Sequence, residues 1–315
     1  MQKAQSKKVV KQGTLGSRIS RDLRKNKYKY LMVLPVLIWY ILFCYKPMYG
    51  ILIAFKNYSP SLGIMGSEWV GLKHFISFFK SIHFQRVFVN TILLSVYNII
   101  FSFPASVILA LFLNEVKNKF FKSTVQTISY FPHFISMVVI CGMITQFCSI
   151  DGLVTQVVSF FTGKKEPLLQ NAAYFRTIYI ASGIWQEVGF SSIIYFAALC
   201  SINEELYEAA SLDGAGKIGK ILHVSIPGIL PTIIIMLILK IGQIMSLGSD
   251  KVILLYNPLT YKTADIISSY VYRKGLQEFS WSFSTAVGLF NNIINIICLV
   301  TVNTISAKLT ETSLW

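Results

Sequence analysis

Glu204, Glu205, Glu208 and Asp213, followed by Lys217, Lys220 and His223, form a charged island between two long apolar stretches. Two phosphate-binding patterns overlap it. Gly214-Ala-Gly-Lys-Ile-Gly219 satisfies G-x-G-x-x-G, and residues 214–220 approach a P-loop. Neither follows a strand, and Ile221 stands where a Ser or Thr would hold magnesium, so no nucleotide is expected on this chain. There is no paired nucleophile and base. His74, His83, His133 and His223 lack ligand spacing, and Cys44, Cys141, Cys148, Cys200 and Cys298 contain no C-x-x-C pair. Neither catalysis nor a metal centre is expected. What the island offers is a surface to be recognised. Ser201-Ile-Asn-Glu204 has the spacing of a capping box, which predicts a helix starting there, with Glu204, Glu205 and Glu208 near its positive end. Ala209 and Ala210 leave room for close approach by a partner, and Asp213-Gly214 supplies a turn. A second helix over Lys217–His223 then leads to Pro227 and back into the apolar phase.

A second group of chemically capable residues lies inside the apolar stretches, where ionisable groups are expensive and default to functional candidates. Glu187 and Lys240 fall at similar depths in neighbouring stretches, which predicts a facing pair across them. Such a pair can fix helix packing or line a pathway. Asn291, Asn292 and Asn295 cluster in the last stretch, with Asn291 and Asn295 on one helical face; amides there act as helix glue or as sugar-binding groups. Trp185, Gln186, Glu187 and Asn291 are the candidates for a pathway that carries a polar solute.

The elements that must position these residues follow from composition. Of 315 residues, 54% are hydrophobic and 14% charged, and mean hydropathy is +0.57, more apolar than a soluble domain of this length. Six apolar segments, at about 30–55, 87–114, 123–149, 176–200, 224–249 and 280–307, are each long enough for a helix to cross a bilayer. The chain reads as an all-α integral membrane protein: a basic tail over 1–29, in which Arg18–Lys25 can form a surface helix, and one membrane domain over 30–315. Pro104 and Pro132 predict kinks. The net charge of +15 does not point to nucleic acid, because ten of the 29 Lys and Arg residues lie in the first 29 positions, where they suit an anionic lipid surface. An amino terminus held inside by that tail, followed by six spans, is expected to place the island and both termini in the cytoplasm; the charge balance supports this orientation, which rests equally on the resemblance described next.

The spacing of Glu208-Ala-Ala210, Gly214, Val224, Ile226 and Pro227 resembles the EAA loop of permease subunits of ATP-binding-cassette (ABC) importers, with Val224 and Ile226 standing where the commonest pattern has Ile and Leu. Leu34-Pro35, Pro47-Met-Tyr-Gly-Ile-Leu-Ile-Ala-Phe-Lys56, Trp69-Val-Gly-Leu72, Phe131-Pro-His-Phe-Ile-Ser136, Ile193–Leu199, Leu255-Tyr-Asn-Pro258 and Ser313-Leu-Trp315 extend the likeness over nearly the whole chain after the tail, towards the oligosaccharide and polysaccharide branch. That resemblance implies a type I importer fold in a bacterial plasma membrane. It implies that Glu204, Glu205, Glu208, Ala209, Ala210, Asp213, Gly214 and Pro227 form the coupling surface for an ATPase that holds ATP and magnesium. The implied partners are a second, related permease, two ATPase copies and an extracytoplasmic sugar-binding protein. The competing reading is an ion-coupled secondary transporter, which predicts inverted repeats and coupling acids, of which Glu187 is the one hint.

Overall fold

The computed structural model describes residues 22, 24–310 and 312–315, so most of the basic tail, including most of the Arg18–Lys25 segment, lies outside the described residues. The chain forms two compact units that divide after Leu52. The first contains most of the helical run Lys27–Phe55, which is apolar over its length and buries none of its side chains through Met48. A helix that is apolar all round and unpartnered within its own unit is suited to hydrocarbon rather than water.

The second unit holds the remaining crossings. Phe84–Glu115, Ala172–Cys200 and Trp281–Thr310 match spans two, four and six to within a few residues. Two expectations are corrected. Span five is helical over Lys217–Ile241 rather than 224–249, ending eight residues early. The third apolar run is not one rod: Lys119–Phe134 and Met137–Phe147 are bent by 98° at a break. Pro132 sits in a 3-10 turn there, and Ile135 and Ser136 both have extended ψ values near 137°, which ends one helix and starts another. The described chain thus has five long membrane-compatible helices, and six crossings if the bent pair is one.

Prolines inside the other spans are accommodated differently. The π-turns Tyr40–Tyr45, Asn98–Ser102 and Ile221–Ser225 each end two residues before a proline, at Pro47, Pro104 and Pro227. Proline lacks the N–H that closes an i→i−4 bond, and its ring collides with that carbonyl. A widened turn immediately upstream moves the carbonyl aside, so the helix continues with a bulge instead of a break.

Loops joining spans one to two, three to four and five to six share one side of the membrane by alternation, and they fold onto the spans. A two-stranded ribbon pairs Lys56–Asn57 with Glu68–Trp69. The helix Lys73–Lys80 follows, and its Phe78 is buried among Phe84, Tyr270, Phe283 and Phe290. The helix thereby buries an aromatic anchor against span six.

The hub of this face is a residue that sequence reading passed over. Asp265 has 0% of its surface exposed, and its carboxylate accepts from Arg273 at 2.9 and 3.3 Å, Arg86 at 3.0 Å and Ser269 at 3.0 Å. Asn90 of span two donates to the Asp265 carbonyl at 3.1 Å, and Asn90 Oδ1 accepts from Arg176 of span four at 2.8 Å. A buried carboxylate with two guanidinium partners satisfies its charge locally. It thereby staples spans two and four to the 261–277 segment.

Candidate functional site

Two places bear on function: the charged island, and a cavity between spans two, four and five.

In the island, residues Glu204–Leu212 form a helix, as the acids and small residues led one to expect. The cap differs. Asn203, not Ser201, is the N-cap: its Oδ1 accepts from the Glu205 amide at 3.1 Å and its Nδ2 donates to the Glu205 carboxylate at 3.0 Å. Ser201 turns back and donates to Ala198 O at 2.7 Å, closing span four. Asn is as good a cap as Ser, and the span-four carbonyls claim the nearer hydroxyl. The other end is a full Schellman motif, with Ala215 N–H bonding Ala210 O at 2.8 Å and Gly214 N–H bonding Ser211 O at 3.1 Å. Gly214 carries φ +81°, the left-handed geometry this motif demands.

The helix is tied to the membrane part at two points. The Tyr207 and Ser225 hydroxyls lie 3.0 Å apart, joining it to the π-turn that precedes Pro227. Gly228 in span five leaves space for Ile202, whose Cδ1 lies 2.5 Å from where a Cβ would stand. Outward, Leu206, Leu212 (90% exposed) and Ile218 present apolar side chains beside the exposed carboxylates of Glu204, Glu205 and Glu208. An apolar patch with a charged rim, outside the hydrocarbon, suits a protein partner.

The cavity has a volume of about 520 Å³ and is lined by Asn98, Ser102, Gln186, Glu187, Lys240 and Lys251, with Phe103, Tyr179 and Tyr195 among its aromatic walls. Polar groups and aromatic faces together are what sugar rings require. Gln186 and Glu187 line it, but two other candidates do not. Trp185 lines a separate apolar groove against Ile140, Ile144 and Phe147, because neighbouring residues on a helix point to different sides. Asn291 is buried and does not line the cavity, whereas Asn295 on the same helical face accepts from Met245 N–H at 2.8 Å and donates to Ser246 at 2.6 Å.

Asn295 explains how span five can end early. Residues 242–248 leave the helix, and Ser95 and Ser268 donate to the Ile244 and Leu247 carbonyls while Asn295 takes the Met245 amide. Irregular backbone at membrane depth is tolerated where side chains satisfy it beside a cavity. Lys240 is therefore the penultimate residue of its helix, near the negative end of the helix dipole, rather than mid-span.

This changes the expected Glu187–Lys240 pair. Both side chains line the cavity, but none of the ion pairs within 4.0 Å among the described residues joins them. Glu187 Oε2 instead lies 2.9 Å from His133 Nδ1, and the His133 ring stacks on Phe190 at 3.8 Å between centroids. Depth matching could not detect this, since His133 comes from the 3-10 turn of the broken third crossing. His133→Ala and Glu187→Gln are expected to be non-additive by about 0.5–1 kcal/mol in a double-mutant cycle on the thermal stability of the purified complex. Strict additivity would refute the contact.

Comparison with known proteins resolves the class. Residues 102–310 match the family described as binding-protein-dependent transport system inner membrane component. The chain belongs to this permease family. It is 43% identical to the polygalacturonan/rhamnogalacturonan transport system permease protein YteP of Bacillus subtilis (strain 168), covering 95% of this chain and 93% of the relative. It is 40% identical to protein LplB of the same strain, covering 93% and 92%. Among solved structures, a bacterial ABC transporter involved in import of the acidic polysaccharide alginate aligns with a TM-score of 0.86 at 41% identity, over 93% of this chain and 99% of that one. The same class of alginate transporter, in complex with an alginate pentasaccharide-bound periplasmic protein, gives 0.87 at 40% identity. The all-α, type I importer permease fold read from the sequence is therefore the fold of this chain. The family match contains the island, the Schellman turn, and spans four to six of this permease.

Proposed function

We propose that this permease forms half of a gated oligosaccharide pathway, and that a separate ATPase drives it through the Glu204–Leu212 helix. The observation that carries the reading is that helix: an exposed, capped element with a left-handed glycine stop, tied to span five by Tyr207–Ser225 and Ile202–Gly228. Movement of a docked ATPase would reach span five through those ties, and span five carries a wall of the cavity. Similarity to importers of polygalacturonan, rhamnogalacturonan and alginate supports an oligosaccharide as substrate and an extracytoplasmic binding protein as donor. The remaining partners are a second related permease and two ATPase subunits, which hold ATP and magnesium.

The reading requires the island and both termini to be cytoplasmic. In a cysteine-free background, an impermeant maleimide applied to intact cells is expected to label a cysteine replacing Leu259 and not one replacing Leu212, both exposed positions. The opposite pattern would overturn the orientation. Co-purification of an ATPase with the chain, and its stimulation by loaded binding protein, tests the coupling itself.

A further inference from the structure

Lys251 is 5% exposed, yet no carboxylate among the described residues lies within 4.0 Å of it. Its Nζ donates to the Tyr179 carbonyl at 3.2 Å and stands 5.1 Å from the centroid of the Tyr179 ring. One donor is thus engaged, and an ammonium has three. Lys240 lines the same cavity and has no ion-pair partner within 4.0 Å among the described residues. Of the acids lining the cavity, Glu187 contacts His133 and the exposed Asp250 accepts from the Ser249 hydroxyl at 3.3 Å, and neither lies within 4.0 Å of Lys240 or Lys251.

Burying a cation with neither counter-ion nor full hydration is costly, and a carbonyl and a ring face offset only part of that cost. A site that retains such a cation gains when an anion arrives. The cavity is sized and lined for sugar rings, so the anion that fits is one carried on a sugar. We propose that Lys251, assisted by Lys240, binds the carboxylate of a uronic acid unit in the pathway, so that the permease itself selects acidic oligosaccharides in addition to any selection by the binding protein. This rests on the cavity being the transport pathway. The Tyr179 ring beneath the ammonium would place an aromatic face beside the bound sugar, and Gln186, buried on the same wall, supplies amide groups for hydroxyls.

The test uses the complete complex in proteoliposomes with saturating binding protein. Initial ATP-driven uptake is measured for trigalacturonate and for its methyl ester, which keeps the rings and removes the charges. Lys251→Met is expected to lower trigalacturonate uptake about tenfold or more, the size of a lost charge-assisted hydrogen bond, with ester uptake within about twofold of wild type. Lys251→Arg should retain most uronate uptake. Should the wild type accept trigalacturonate alone, Lys251→Arg must retain the uptake that Lys251→Met loses, at equal complex yield. Should Lys251→Met fail to assemble, Lys251→Gln takes its place, with the same expected ratio. Equal losses for both sugars would overturn the proposal. Undiminished uronate uptake, or a wild type that moves only the ester, would also overturn it. A wild type that moves neither sugar under ATP would overturn the oligosaccharide-importer reading as well.

Discussion

Gly214→Pro is expected to leave the chain inserted and assembled while abolishing stimulation of ATP hydrolysis by loaded binding protein, a loss of tenfold or more. Gly214 sits at φ +81°, whereas proline is fixed near −65°, so the Schellman turn cannot form. The substitution also removes the amide that bonds Ser211 O at 3.1 Å. A non-glycine residue in this geometry costs about 1–2 kcal/mol, and proline costs more. The strain falls on an exposed nine-residue helix and not on the buried core. Membrane insertion is therefore spared, and what is lost is the angle at which Leu206, Leu212 and Glu208 are presented. Glu208→Lys, which leaves the turn intact and reverses one surface charge, should weaken the same coupling without changing the helix ends. Stimulated ATPase activity of purified complexes reads both. Wild-type stimulation in Gly214→Pro would remove the docking role from this helix.

Asp265→Ala should have the largest effect on stability. It strands Arg86 and Arg273 and releases Ser269, while the bond from Asn90 to the backbone carbonyl of residue 265 remains. Removing one member of a buried ion cluster typically costs 3–5 kcal/mol, and because Arg86 is about one-third exposed and can reach water, about 3 kcal/mol is expected here. For a chain of this size that corresponds to a fall of roughly 5–10 °C in the melting temperature of the detergent-purified complex. Asp265→Asn keeps the acceptor oxygen but not the charge, so its effect should be about half as large. A melting temperature within 1 °C of wild type for Asp265→Ala would show that the hub does not hold spans two and four to the 261–277 segment.

The two regions differ in how much of them is legible in the sequence. The docking helix is local: acids, small residues, Gly214 and Pro227 lie within 24 residues, and each has a backbone reason for its place. Even there the choice of cap depended on competition with the end of span four, which placed Asn203 at the helix start instead of Ser201. Hydropathy located the spans, but it cannot see where a helix ends inside an apolar run. Ile241–Leu247 is apolar enough to extend span five, and the side chains that let it unwind come from Ser95, Ser268 and Asn295 on other segments. The same limit hid the Asp265 hub, whose partner Arg86 is 179 residues away. It also gave Glu187 the wrong partner, because the 98° bend that brings His133 to it leaves no trace in periodicity. Prolines were visible; the π-turns that make them tolerable were not.

The central claim is that the cavity belongs to an ATP-driven pathway and not to an ion-coupled one. Uptake of a labelled oligouronate into proteoliposomes containing the complete complex tests this most directly, with ATP inside and loaded binding protein outside, and with ion gradients collapsed by ionophores. Uptake that needs both ATP and binding protein and is indifferent to the ionophores is the predicted result. Uptake that persists without ATP and disappears when the ion gradient is collapsed would contradict the account.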